Sequence, residues 1–155
     1  MTNNDVLRRV RYTFDFSDDQ MMHLFTLEGV PVTRAQISSW LKKDDDPDFV
    51  DLMDQYLAVF LNGFITMKRG KKEGLAPPPE RVLSNNMILR KLKIALNLRD
   101  DDILNMLDVG GMKVSKHELS ALFRNPSQRQ YAQCKDQFLR KFLYGMQRSY
   151  NSANR

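Results

Sequence analysis

An all-α fold of two tandem homologous four-helix units, packed about a pseudo-two-fold, is what this sequence predicts, and three observations carry it. Residues 1–66 align without a gap to residues 83–148 at a constant offset of 82, so that Asn3-Asn4, Leu7-Arg8, Asp18-Asp19, Gly29, Asp54-Gln55, Phe60-Leu61 and Gly63 meet identical residues at Asn85-Asn86, Leu89-Arg90, Asp100-Asp101, Gly111, Asp136-Gln137, Phe142-Leu143 and Gly145. Apolar residues recur at three- and four-residue spacing in almost every stretch, the period of a helix with one buried face. Capping signals fall at the same places in both copies.

The first helix runs from about Asn4 to Asp15. It sets Val6, Leu7, Val10 and Phe14 on one face, and the second copy sets Ile88, Leu89, Leu92 and Leu96 at the same positions. Ser17-Asp18-Asp19-Gln20 has the capping-box pattern, with carboxylates where the helix dipole favours them. Met21, Met22, Leu24 and Phe25 come next, as Ile103, Leu104, Met106 and Leu107 come after Asp100-Asp101-Asp102, and Gly29 and Gly110-Gly111 read as left-handed helix ends. Thr33-Arg34-Ala35-Gln36 and Ser115-Lys116-His117-Glu118 are second capping boxes, opening a short third helix that carries Ile37, Trp40 and Leu41, or Leu119, Leu122 and Phe123. A fourth helix is expected to open near Asp46-Pro47, a cap followed by proline, and near Asn125-Pro126 in the second copy. Its stripe, Phe49, Leu52, Met53, Tyr56, Leu57, Phe60, Leu61 and Phe64, makes it the central core helix.

The expected organisation is a first, acidic repeat over 1–69, a Pro-rich basic linker over 70–83, a second, basic repeat over 84–148 and a polar, frayed tail over 149–155. Three successive prolines, Pro77 to Pro79, forbid a helix through the linker. With 42% hydrophobic and 28% charged residues the chain is one that folds rather than stays disordered. No apolar run reaches the length of a membrane span, and the polar start is unlike a signal segment. The expected compartment is the cytoplasm. A single cysteine, Cys134, excludes an internal disulfide and stands where the first copy has Leu52, which predicts a buried apolar role.

Charge divides the copies. Residues 1–66 hold 6 Lys and Arg against 11 Asp and Glu, whereas residues 85–155 hold 13 against 6. One reading is that the basic half faces a polyanion such as nucleic acid. The other, favoured here, is that opposite charges draw the copies to each other or to another chain.

Enzyme signatures are missing. His23 and His117 occupy non-equivalent positions and have no second ligand at metal spacing, so no metal and no cofactor are expected. His23 is expected to be partly buried and hydrogen-bonded, His117 to face solvent. The run Asp44-Asp45-Asp46-Pro47-Asp48 fails as a calcium loop, because its sixth position is Phe49 and its twelfth Gln55. It reads as a solvated loop. Arg8 and Arg90 with Asp54 and Asp136 could build two equivalent ligand sites, but the expectation is that each Arg pairs with the Asp of its own copy and fixes a helix crossing. The second and third helices resemble a helix-turn-helix, whose exposed positions would be Arg34, Lys42 and Lys43 in one copy and Lys113, Lys116, His117 and Arg124 in the other. These are the candidate contacts for a nucleic acid or a protein partner.

The stretches Asn4-Asp5-Val6-Leu7-Arg8-Arg9-Val10-Arg11-Tyr12, Trp40-Leu41-Lys42-Lys43, Phe60-Leu61-Asn62-Gly63-Phe64, Lys68-Arg69-Gly70-Lys71, Asn85 to Leu92 and Asp136 to Arg140 resemble the YehS-like proteins of Gram-negative bacteria, a family with a duplicated domain of unknown function. The resemblance implies a bacterial cytoplasmic protein of two tandem domains, and implies no activity, cofactor or catalytic residue. A non-enzymatic interaction or regulatory module, binding a protein partner or itself, is the expected function, with nucleic-acid binding as the alternative.

Overall fold

Helices are the regular structure throughout the computed structural model, which describes residues 1–74 and 77–151 and holds no strand among them. Eight appear among these residues: α1 Asn3–Phe14, α2 Asp18–Leu27, α3 Arg34–Leu41, α4 Asp54–Arg69, α5 Asn85–Leu96, α6 Asp100–Val109, α7 Lys116–Leu122 and α8 Asp136–Tyr150. Each helix of the second set begins 82 residues after its counterpart in the first, so the duplication written in the sequence is a duplication of structure. The chain divides into two compact units, Met1–Leu83 and Ser84–Arg155. Leu75, Ala76 and residues 152–155 lie outside the described residues, and with them part of the expected linker and most of the expected tail. Ser149 and Tyr150 of that tail belong to α8.

Local chemistry explains where the helices start. The boxes at Ser17, Thr33 and Ser115 form, each hydroxyl accepting from the N3 amide while the Gln or Glu side chain returns to the cap N–H. Thr2 caps α1 in the same way with Asp5, and Ser84 caps α5 by accepting from the Met87 N–H. At α6 the cap position is Arg99, and only the return half of the box survives, with the Arg99 N–H donating to Asp102. Gly29 and Gly111 adopt positive φ, as their place after α2 and α6 requires.

The fourth helix departs from expectation. It opens at Asp54 and Asp136, not near Asp46-Pro47 and Asn125-Pro126. Asp46 and Asn125 do cap, but they cap turns: their side chains accept from the Asp48 and Ser127 N–H groups. Beyond each turn the chain runs extended to the helix start, because its backbone is already bonded elsewhere. The Val50 N–H donates to Ser39 O and the Ala132 N–H to Ala121 O, and the neighbouring carbonyls and amides are taken by the buried Asn4 and Asn86. Consequently Met53 is exposed instead of lying on a buried stripe.

Within each unit α2 and the fourth helix, or α6 and its partner α8, pack most closely. A Cβ built on Gly63 would meet the Leu24 carbonyl, 2.7 Å from its carbon and closer still to its oxygen, and one on Gly145 would meet the Met106 carbonyl, 2.5 Å from its carbon. The missing side chain lets two backbones touch. Around this contact unit 1 buries Phe25, Trp40, Phe60 and Phe64, with the Phe25 ring 5.6 Å from both Trp40 and Phe60. Unit 2 fills the equivalent places with Leu107, Leu122, Phe142 and Met146.

Candidate interaction surface

Asn4 and Asn86, buried near the N-terminus of the first helix of each unit, organise the loops around the candidate residues. The Asn4 Nδ2 donates to Trp40 O at 2.9 Å and Val50 O at 3.0 Å, and its Oδ1 accepts from the Leu52 N–H at 2.9 Å. Asn86 repeats the set with Leu122 O, Ala132 O and the Cys134 N–H. Beside them, the Asn3 Nδ2 donates to Leu52 O and Asp54, and the Asn85 Nδ2 to Cys134 O and Asp136. An Asn-Asn pair thus ties the end of the third helix, the extended loop and the start of the fourth helix to one point. Buried polar groups are stable only when all their hydrogen bonds are made, and here both buried carboxamides are satisfied by main-chain atoms.

The expected Arg–Asp pairing within each copy does not occur. Because the fourth helix begins late, Asp54 lies beside Asn3, accepting from it at 2.6 Å and from the Leu83 N–H at 2.8 Å, and Asp136 accepts from Asn85. That bond from Asn85 is the main reason the Asp136 carboxyl titrates below its ordinary range. Arg8 instead caps the end of α3, donating to Lys42 O at 2.6 Å. Two carboxylates neutralise it, Asp5 at 2.7 Å and Asp44 at 3.4 Å. Partial burial pulls the Asp5 carboxyl upward, but hydrogen bonds from Thr2 and Arg8 outweigh it and hold it below the usual value.

Arg90, the counterpart of Arg8, keeps the carbonyl contact, donating to Phe123 O at 2.6 Å. Both carboxylates are gone: position 5 becomes Met87 and position 44 becomes Pro126 in the second copy. Its guanidinium lies 5.7 Å from the Phe123 ring, on which Lys93 also sits at 4.3 Å. Lys93 has Asp100 at 3.7 Å. On the same outer face of α5, Met87 is 38% exposed and Ile94 43% exposed, so Arg90 stands between two apolar side chains open to solvent.

The helix-turn-helix candidates are placed differently. Arg34 pairs with Asp18 at 3.4 Å and with Asp19 more closely, and Lys116, its counterpart, pairs with Asp101 at 3.2 Å. These cations join the start of the third helix to the acidic first turn of the second in both units. Arg124 bonds Gln130 in its own loop, and Lys42 offers its carbonyl to Arg8. Lys42 is half-buried and Lys43 exposed, while Lys113 and His117 lie exposed along the rim of the α6–α7 turn. His23 is exposed, contrary to the partly buried place expected of it, because it falls on the outer side of α2 between buried Met21 and Leu24.

Cys134 is buried, and burial pushes its thiol up to about 12. In the unfolded chain the same thiol titrates near 9.0, so as pH rises past that value the unfolded state loses a proton that the folded state retains, and stability falls. The native protein at pH 8 is therefore expected to resist iodoacetamide and to react at once in urea. Rapid labelling of folded protein would contradict this.

A shallow cavity of about 270 Å³ opens in unit 2 beside Leu96, Leu98, Met106 and Ser149. In unit 1 the counterparts of Leu96 and Leu98 are Phe14 and Phe16, which pack on Phe64 at 5.0 and 6.0 Å. Leu96, Leu98 and Met146 stand in place of those three Phe residues, and the cavity opens beside the two leucines. Among the described residues no group of three or more His, Cys, Asp or Glu is placed to hold a metal ion. No described helix is long and apolar enough to cross a membrane.

The molecule is thus a tandem-repeat helical protein whose two units share one asparagine-anchored frame and differ in the charges hung on it. It belongs to the family described as protein of unknown function (DUF1456), whose sequence model matches residues 3–70 and 85–151. The chain is 42% identical over 147 residues to the uncharacterized protein YehS of Escherichia coli (strain K12), covering 94% of each chain. No solved structure matches it.

Proposed function

We propose that this protein is a non-enzymatic, cytoplasmic interaction module, and that the outer face of α5 binds an acidic protein partner. One observation carries the reading: Arg90 occupies the place where unit 1 neutralises Arg8 with two carboxylates, yet has Met87 and Pro126 in their stead. A cation between exposed Met87 and Ile94 suits a surface offering carboxylates beside apolar groups. The nucleic-acid alternative has less support, since Arg34 and Lys116 at the start of the would-be recognition helices already face aspartates.

Met87→Asp tests this. It restores the residue found at position 5, completes a capping box with Ser84, and sets a carboxylate against Arg90 from within. Retention on immobilised poly-L-glutamate at low salt is expected to weaken about fivefold, the effect of one exposed charge pair. Lys113→Gln, which changes net charge equally, should have little effect. Equal losses from both would reduce the reading to bulk charge. Tighter retention on duplex DNA than on polyglutamate, abolished by Lys113→Gln, would replace it with the nucleic-acid function.

A further inference from the structure

Resting on the acidic-partner reading, we infer that the partner is a second copy of this chain, whose loop 44–51 seats on the outer face of α5. That loop carries Asp44, Asp45, Asp46, Asp48 and Asp51. Within its own unit it already shows the pairing required, since Asp44 approaches Arg8 at 3.4 Å, and Arg90 is the same arginine one repeat later. The loop lacks only a second arginine, and Arg90 lacks only the loop. Exposed Val50 and Met53 flank the aspartates as Met87 and Ile94 flank Arg90, so charge and apolar surface match together.

The loop is also held ready. Asn4 fixes Val50 O and the Leu52 N–H, and the Asp48 N–H closes a turn on Asp46, so docking orders little additional chain. The roles cannot reverse. Unit 2 has no acidic residue between Arg124 and Lys135, and on α1 Arg8 already faces Asp5. Donor loop and acceptor face therefore belong to different units, so copies join either by exchanging the contact reciprocally in a two-fold dimer or by passing it head to tail in a ring or an open chain.

Sedimentation velocity of the full chain over a concentration series at low and high salt tests this. Average mass is expected to rise with concentration at low salt and to collapse at high salt. Arg90→Glu, and separately Asp45→Lys with Asp48→Lys, should each weaken association about tenfold or more, and all three substitutions together should restore it. The three positions are solvent-facing, and Asp44 and Asp46, which hold the loop, are untouched. A wild-type chain monomeric throughout, or association that survives Arg90→Glu, overturns the inference. If that monomer is still retained on polyglutamate in a manner lost with Met87→Asp, only the identity of the partner fails; if that dependence is missing too, the acidic-partner reading fails with it.

Discussion

Asn4→Ala is expected to remove about 4 kcal/mol of stability from unit 1, and Asn86→Ala a similar amount from unit 2. Truncation orphans two carbonyls and one N–H in each case, and a buried polar group left without its partner costs about 1–3 kcal/mol. The whole stability of a small domain is about 5–15 kcal/mol, so the loss is a large fraction of it. Asn4→Asp should be no better: it keeps the acceptor for Leu52 but turns a carboxylate oxygen toward the Trp40 and Val50 carbonyls. Asn3→Ala, which loses two bonds at a partly exposed place, should cost about 1 kcal/mol. Urea unfolding midpoints of the four variants check the order. If Asn4→Ala proves no worse than Asn3→Ala, the buried carboxamide is not the anchor of the loop.

Gly63→Ala and Gly145→Ala should each destabilise by about 3 kcal/mol or more, at positions where helix propensity alone would predict a gain of about 1 kcal/mol. The sign is set by the neighbouring helix. A methyl group on Gly63 runs into the Leu24 carbonyl, which is main chain and cannot swing aside, and the methyl on Gly145 meets Met106 in the same way. Only separation of the two helices relieves the clash, and that opens the core around Phe60 or Phe142. Thermal unfolding of the variants decides it; an unchanged or raised melting temperature would mean that the helices do not cross so closely.

Much of the architecture is legible in the sequence because two copies of one pattern constrain each other. The stripe Leu57, Phe60, Leu61 and Phe64 is buried as the spacing requires, and three capping boxes form where hydroxyl and carboxamide or carboxylate stand three apart. The start of the fourth helix is not legible, since Asp46-Pro47 is a strong local signal, whereas what overrides it is a hydrogen bond from a residue more than forty positions away. Pairing Arg8 with Asp54 fails for the same reason, as it assumes that longer helix. The asparagines leave one clue: Asn4 lies three residues before Leu7, on the apolar side of α1, and Asn86 repeats the oddity. A polar residue on a buried stripe in both copies signals a fixed internal partner, but periodicity does not say which. The surface at Arg90 depends on what unit 2 lost, and becomes visible only once Arg8 is seen with Asp5 and Asp44.

The carboxamides of Asn4 and Asn86 grip main-chain atoms alone, and this frees the intervening side chains to change at little structural expense. Evolution has used that latitude once already, setting five aspartates on one tip and Gln128, Arg129 and Gln130 on the other without shifting the start of the next helix. Such a tip is a natural cassette: its recognition chemistry can be rewritten between generations while the frame that presents it is inherited intact.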